Sequence, residues 1–298
     1  MKKFIILFVL FNMVIGVEAQ NVDSGQIVSV LQTDGTQWIG QILSSNSREI
    51  LFKTQEGREL FIPQFVISKI TAVKLSEFSE SGNYIGEEKF CTRYFLTTNG
   101  LPLKKKTGYI QWNLFGPDIQ FSVTDKLGVG LMTSWVGIPM IATIKYSTEI
   151  ADNLHIALGG LIGTGTWAAP DYGGILPFAA LTLGNEKRNI NFSGGYGAIW
   201  TEGDRDGRTL VSLAGMSKIG KKVSLVFDSF IILPKSATEL DPFGNSRAVT
   251  KSGLAIITPG LRFHQSETSA FQFGFTGMYA NAEWVPVPIP MVQWYRAF

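Results

Sequence analysis

From Gly108 to the C terminus the chain repeats one unit, a run of about ten residues in which apolar and polar side chains alternate, closed by a turn. In one run Phe271, Phe273 and Phe275 alternate with Gln272, Gly274 and Thr276, and in another Ile190, Phe192, Gly194 and Tyr196 alternate with Asn191, Ser193 and Gly195. Successive side chains of a strand point to opposite faces, so each run carries one apolar and one polar face. Apolar residues make up 45% of the chain and glycines number 32. Even so, no segment beyond the leader described below has the ~18 uninterrupted apolar residues of a membrane helix. An antiparallel transmembrane β-barrel reconciles these observations, with the phenylalanine face on lipid and the glutamine face on the lumen.

Turn spacing sets the strand number. Short polar turns at 124–126, 151–153, 186–188, 220–222 and 265–267 alternate with connections expected to be longer loops, at 164–174, 201–208 and 234–251. Short turns belong to the periplasm and long loops to the outside. Five periplasmic turns with both chain ends in the periplasm predict about twelve strands, within a range of ten to fourteen. Trp112, Trp135, Trp200, Trp284 and Trp294 sit near predicted strand ends, where interfacial girdles form.

The first nineteen residues read as a secretory leader: Lys2 and Lys3, then the apolar run Phe4 to Gly16, then Val17-Glu18-Ala19. Without the leader's two lysines and one glutamate, 24 basic and 23 acidic residues remain, a balance that argues for no polyanionic partner. The single cysteine, Cys91, forms no intramolecular disulfide.

Residues 20–75 read as a small periplasmic domain of five strands: Gln26 to Gln32, Trp38 to Leu43, Ile50 to Thr54, Glu59 to Ile62 and Val66 to Ile70. Asp34-Gly35 and Glu56-Gly57 supply hairpin turns. The pattern resembles a small SH3-like or Sm-like barrel. RNA binding is not expected, because residues 21–75 carry five basic and five acidic side chains, no footprint for phosphate.

Residues 76–106 change to a Ser-, Glu- and Gly-rich linker followed by the lead-in around Thr92-Arg93-Tyr94-Phe95, and residues 107–298 form the barrel. The stretch Arg93 to Tyr109, with the hairpins after it, resembles uncharacterised outer-membrane proteins of the Bacteroidetes group. That resemblance covers roughly residues 92–298 and implies a barrel without implying an activity.

Catalytic chemistry finds little footing. The only histidines, His155 and His264, each lie beside a predicted periplasmic turn, no serine stands in a nucleophile elbow, and no metal-ligand spacing is built on either ring. Asp204 and Asp206 resemble the opening of a calcium loop but lack the downstream glutamate and stand among Arg205 and Arg208. No cofactor, metal or nucleic-acid partner is expected. The lumen face carries few charges, chiefly Lys145, Asp228 and Arg262. They either compensate one another in a filled interior or line a small aqueous path. Arg93, with Lys104 and Lys105, enters or borders the lumen if the lead-in folds up as a plug.

Pro286, Pro288 and Pro290 recur at period two before the last strand and remove successive donors from one edge of the chain. They either lie above the membrane or mark a lateral seam that opens to lipid. Phe298 ends a strand whose same face carries Trp294 and Val292, which resembles the signal read by the barrel-assembly machinery; Arg296 departs from that pattern. The expected function is passage of a small solute or hydrophobic molecule across the outer membrane, with outer-membrane lipid around the barrel and a possible protein partner in the periplasm. The alternative is a closed barrel that anchors envelope components, and a membrane-embedded hydrolase has least in its favour.

Overall fold

The computed structural model describes residues 26–73, 78, 82, 84–166, 169–202, 204–240, 246–266, 268–281 and 283–298. The expected leader at 1–19 and most of the linker at 76–83 lie outside them. The chain is all-β and divides into two compact units, residues 1–78 and 79–298.

In the first unit β1 (Ile27–Gln32), β2 (Gln37–Ser45), β3 (Glu49–Thr54), β4 (Glu59–Pro63) and β5 (Ile67–Ala72) form one antiparallel sheet in the order β4-β3-β2-β1-β5. Val66, expected in the last strand, belongs instead to the short 3-10 turn Gln64–Val66. Gly35 and Gly57 hold φ of 86° and 85° at the two hairpin turns, a region closed to most side chains. Val28, Val30, Ile50, Phe52 and Ile62 are buried together as the core.

The second unit is a closed barrel. Nine strands follow one another around it: β6 (Gly108–Asn113), β7 (Pro117–Ser122), β8 (Leu127–Thr133), β9 (Met140–Ala151), β10 (Leu154–Thr166), β11 (Ala169–Gly184), β12 (Arg188–Thr201), β13 (Asp204–Lys218) and β14 (Val223–Ile232). They continue through β17 (Leu254–His264), β18 (Ser269–Ala280) and β20 (Ile289–Ala297), and β20 pairs with β6 to close a ring of twelve antiparallel strands. The two-residue strand β19 (Glu283–Trp284) adds only to the end of β18.

The faces are inverted relative to a soluble sheet. Leu158, Ile162, Phe192 and Phe275 point outward and are exposed, whereas Asn191, Gln272 and Gln293 point inward and are fully buried. Water would penalise so continuous an apolar exterior, and hydrocarbon accommodates it.

The expected long loops are mostly strand. The pairing of β10 with β11 continues to Thr166↔Ala169 and that of β12 with β13 to Thr201↔Asp204, while 234–251 carries a separate hairpin of β15 (Lys235–Leu240) and β16 (Ser246–Lys251). Paired extended chain satisfies its own backbone donors and acceptors, so the ladder has reason to continue past the bilayer. One sector runs low. β6 and β7 have six residues each and β8 has seven, against 13 to 16 in β10 through β13.

Candidate functional site: a plugged lumen

The lead-in enters the barrel and fills the half that carries the short turns, where it meets Glu186, Lys218 and His264. An antiparallel bridge between Arg93 and Thr98 and a Tyr94 N–H to Thr97 O bond of 3.1 Å fold it into a tight hairpin. Phe90, Cys91, Tyr94, Phe95 and Leu101 are buried there against Met216, Val226, Tyr295 and other wall residues.

A non-helical segment buried in a lumen must find partners for its peptide groups, because an unpaired one is costly. The three lumen charges singled out in the sequence provide many of them. Asp228 on β14 accepts from the N–H groups of Phe95, Leu96 and Thr97 at 3.0, 2.6 and 2.9 Å, and from the Thr97 hydroxyl at 2.7 Å. Lys145 on β9 directs its three protons to Thr98 Oγ1, Asn99 O and Leu101 O at 3.0–3.2 Å. Arg262 on β17, fully buried, donates to the carbonyls of Phe90 and Arg93 at 2.7 and 2.6 Å and to Gln272 Oε1 at 2.7 Å, and lies over the Tyr295 ring. Each of the three charges thus holds plug main chain. Arg93, on the plug itself, pairs with Asp118 of β7. Lys104 stays at the mouth, bonded to Glu87 and Glu186.

Neutral wall groups complete the fit. Gln272 and Tyr295 donate to the Tyr94 carbonyl, Gln293 to that of Phe95 and Asn191 to that of Thr98. A Cβ on Gly260 or Gly274 would stand 2.5 or 2.6 Å from Cζ of Phe95, so these glycines leave the hollow its ring occupies. Neither they nor Glu88 stood out in the sequence.

Glu88 anchors the base of the plug. It bonds the Ser224 hydroxyl at 2.8 Å and His264 Nε2 at 2.8 Å, with Arg262 at 3.3 Å and Lys218 at 3.9 Å. Burial by itself pushes this carboxyl up, but the His264 bond and the charges of Arg262, His264 and Lys218 outweigh it and hold the group at about 2. Ser224, His264 and an acid are thus adjacent, yet the same ring nitrogen faces both the serine at 3.1 Å and the acid. A nucleophile relay needs the acid on the other nitrogen, so the geometry is that of an ionic clamp.

Among the described residues no group of three His, Cys, Asp or Glu is placed to hold a metal ion. Asp206 is surrounded by cations instead, Lys235 and Lys251 at 3.1 Å and Arg208 at 3.5 Å; the side chain of Asp204 lies outside the described set. His155 faces inward at the other side of the plug, where its main-chain oxygen lies close against Gly100.

The prolines acquire a definite edge. Ala297 N–H donates toward β18, to Thr268, and Phe298 N–H donates to Gly108 on the β6 side, so even-numbered positions of β20 direct their nitrogens at β6. Pro290 therefore lacks a donor on that side only. There the β20–β6 ladder runs from Gln293↔Asn113 to Ala297↔Tyr109, and among the described residues Ile289 to Val292 have no ladder partner on that side. The ladder to β18 continues past Pro290 to Thr276↔Ile289, so it is not the weakened one. Pro286 and Pro288 precede the strand in an exposed segment. At the other end Phe298 exchanges two backbone bonds with Gly108 and sets its ring 5.5 Å from that of Phe121; Trp294 packs on Phe271, and Val292 pairs with Phe273 on the same outer face.

No protein-family model matches the chain, and no curated protein matches it. Among solved structures it is similar to the NanC porin, 7% identical over 64% of this chain and 97% of that one at a TM-score of 0.40. It is also similar to a loop L8 deletion mutant of OmpT, an outer membrane protein of Vibrio cholerae, 9% identical over 92% of this chain and 96% of that one at 0.39. Likenesses at that level carry no weight for activity; the barrel stands on its own register and closure.

Proposed function

We propose that the protein is an outer-membrane barrel held closed at rest by its own lead-in, through which a small solute or hydrophobic molecule passes once the plug shifts. The observation that supports this is the use of Lys145, Asp228 and Arg262: all three bond plug main chain through polar contacts that water can replace if the plug shifts. A wall meant only to stay shut has no need of a segment whose peptide groups must be matched one by one, and apolar packing would close it at lower desolvation cost.

The five-stranded unit is read as an SH3-like domain on the periplasmic side, where it meets a protein partner that acts on the linker. The resemblance to Bacteroidetes outer-membrane proteins fits this assignment, as does insertion by the barrel-assembly machinery through Phe298, Trp294 and Val292. The chain is read as a non-enzyme.

Planar-bilayer recording of the refolded full-length protein tests the proposal. The wild type is expected to be silent, and Asp228→Ala combined with Lys145→Ala to give stepwise conductance. Silence from a variant that still shows the heat-modifiable mobility of a folded barrel would favour the anchoring, non-transporting reading.

A further inference from the structure

Above the plug the lumen changes character. Two residues up β14 from Asp228 the inward position is Phe230, which pairs with Ile256 of β17, which in turn pairs with Met278 of β18. Further round the same wall Leu210 of β13, the strand next to β14, and Leu176 and Phe178 of β11 lie over the lumen-facing glycines Gly159, Gly195 and Gly197. All six are half-buried. A water-filled barrel lines its interior with polar groups, and at this level six of the inward positions are apolar instead.

The same level is open on one side. Six residues at about 3.4 Å each and a tilt near 40° rise about 16 Å, so β6 and β7 fall short of an apolar band about 25 Å tall. Strands of 13 to 16 residues rise about 34 to 42 Å. The tips flanking the low sector are apolar rather than polar: Leu114 and Phe115 (61% exposed) beside β6, Trp135, Val136 (81% exposed) and Ile138 after β8, and Trp284, Val285 and Val287 before β20. Trp112 stacks on Trp135 at 5.9 Å, and Trp135 Nε1 is satisfied by Leu114 O. Such tips belong in hydrocarbon and headgroups, so the gap beside the free edge of β20 opens at the depth of the outer leaflet.

The tall wall opposite gathers three cations: among the described side chains Lys235, Lys251 and Arg208 converge on the one carboxylate of Asp206, at 3.1, 3.1 and 3.5 Å. We infer that the outer half of the barrel is a binding site for an anionic amphiphile, whose acyl chain enters from the outer leaflet between β20 and β6 and lies against Phe230, Ile256 and Phe178 while its head is drawn to Arg208, Lys235 and Lys251. The inference rests on the plugged reading, since the plug hairpin at Phe95 to Thr97 is the floor of the site.

Full-length protein in phosphatidylcholine vesicles is illuminated with diazirine-labelled palmitic acid, and in a second arm with a diazirine-labelled phosphatidylglycerol, and the adducts are mapped by mass spectrometry. Saturable labelling at Phe178, Phe230, Ile256 or Met278 is expected, and the arm that gives it separates a free fatty acid from a phospholipid. Phe230→Asp, or Phe230→Ser if that barrel does not fold, is expected to reduce labelling at the inward positions at least fivefold with outer-face labelling unchanged. Lys235→Gln with Lys251→Gln is expected to weaken competition by palmitate several-fold and not that by hexadecanol. Adducts confined in both arms to outward positions such as Leu158, Phe192 and Phe275 would overturn the inference. A wild-type barrel that conducts would overturn the plugged reading alone and leave the labelling pattern to decide the site.

Discussion

Arg262 donates from Nη1 to the main-chain oxygen of Phe90 at 2.7 Å, which fastens a barrel wall to a residue 172 positions earlier in the chain. The bond is to a peptide group and does not depend on which side chain stands at position 90, while the Phe90 ring adds its own packing on Tyr109 and Tyr295. Variants that remove wall charges therefore test the plug more directly than variants of the plug's own side chains.

Asp228→Ala leaves three consecutive N–H groups and one hydroxyl without an acceptor. Each buried group so stranded costs about 1–3 kcal/mol, and the plug is expected to lose at least about 3 kcal/mol in all. Cys91 is the chain's only cysteine and is buried in the plug, which makes it the reporter. Maleimide labelling of the folded barrel should be slow in the wild type and at least tenfold faster in the variant. Equal rates would mean that Asp228 does not hold the plug.

Phe95→Ala empties the hollow between Gly260 and Gly274. Truncation of a packed phenylalanine costs about 3–5 kcal/mol. The expected outcome is faster Cys91 labelling with an unchanged heat-modifiable mobility, because the ring belongs to the plug and the ring of strands closes without it. Loss of the folded band would show that barrel and plug do not fold separably.

Glu88 sets a pH dependence with a definite sign. Its carboxyl is held at about 2 in the folded protein against 4.5 as the ordinary value, so its contribution is complete above about pH 4.5 and is lost as pH falls toward 2. The groups facing it are Ser224, His264, Arg262 and Lys218. Hydrogen exchange of residues 85–101, corrected for its intrinsic pH dependence, should show protection falling through that window. In Glu88→Gln the same window should be flat, and a wild-type profile without a slope there would remove Glu88 as the anchor.

Pro290→Ala restores an N–H on the side where β20 has no partner. The thermal midpoint of the heat-modifiable band should therefore barely move, consistent with a change within about 0.5 kcal/mol. A clear stabilisation would mean that the edge finds a partner after all and that the gap beside β6 closes.

Much of this architecture is legible in the sequence, because alternation has a period of two and a one-residue error would reverse every face. Phe271, Phe273 and Phe275 lie outside and Gln272 inside as the pattern requires. Lys145, Asp228 and Arg262 also stand out, as charges on a face that has few. Their partners do not, because a carbonyl or an N–H is present at every residue and marks nothing. Glu88 hides in a linker of glutamates and glycines, and Gly260 and Gly274 hide among 32 glycines. The low sector is hidden for another reason. Strand ends depend on where pairing stops, and the apolar tips Leu114-Phe115 and Trp135-Val136 read locally as more strand or as girdle.

The plug and the first barrel strand are consecutive, with four residues between Leu103 and Gly108. A displaced plug thus stays tethered at its own doorway, at an effective concentration in the millimolar range. Reclosure is a unimolecular event whose rate does not depend on how many copies the membrane holds. On the proposed reading the barrel is a valve with a built-in return spring: whatever opens it must keep pulling, and letting go is enough to shut it.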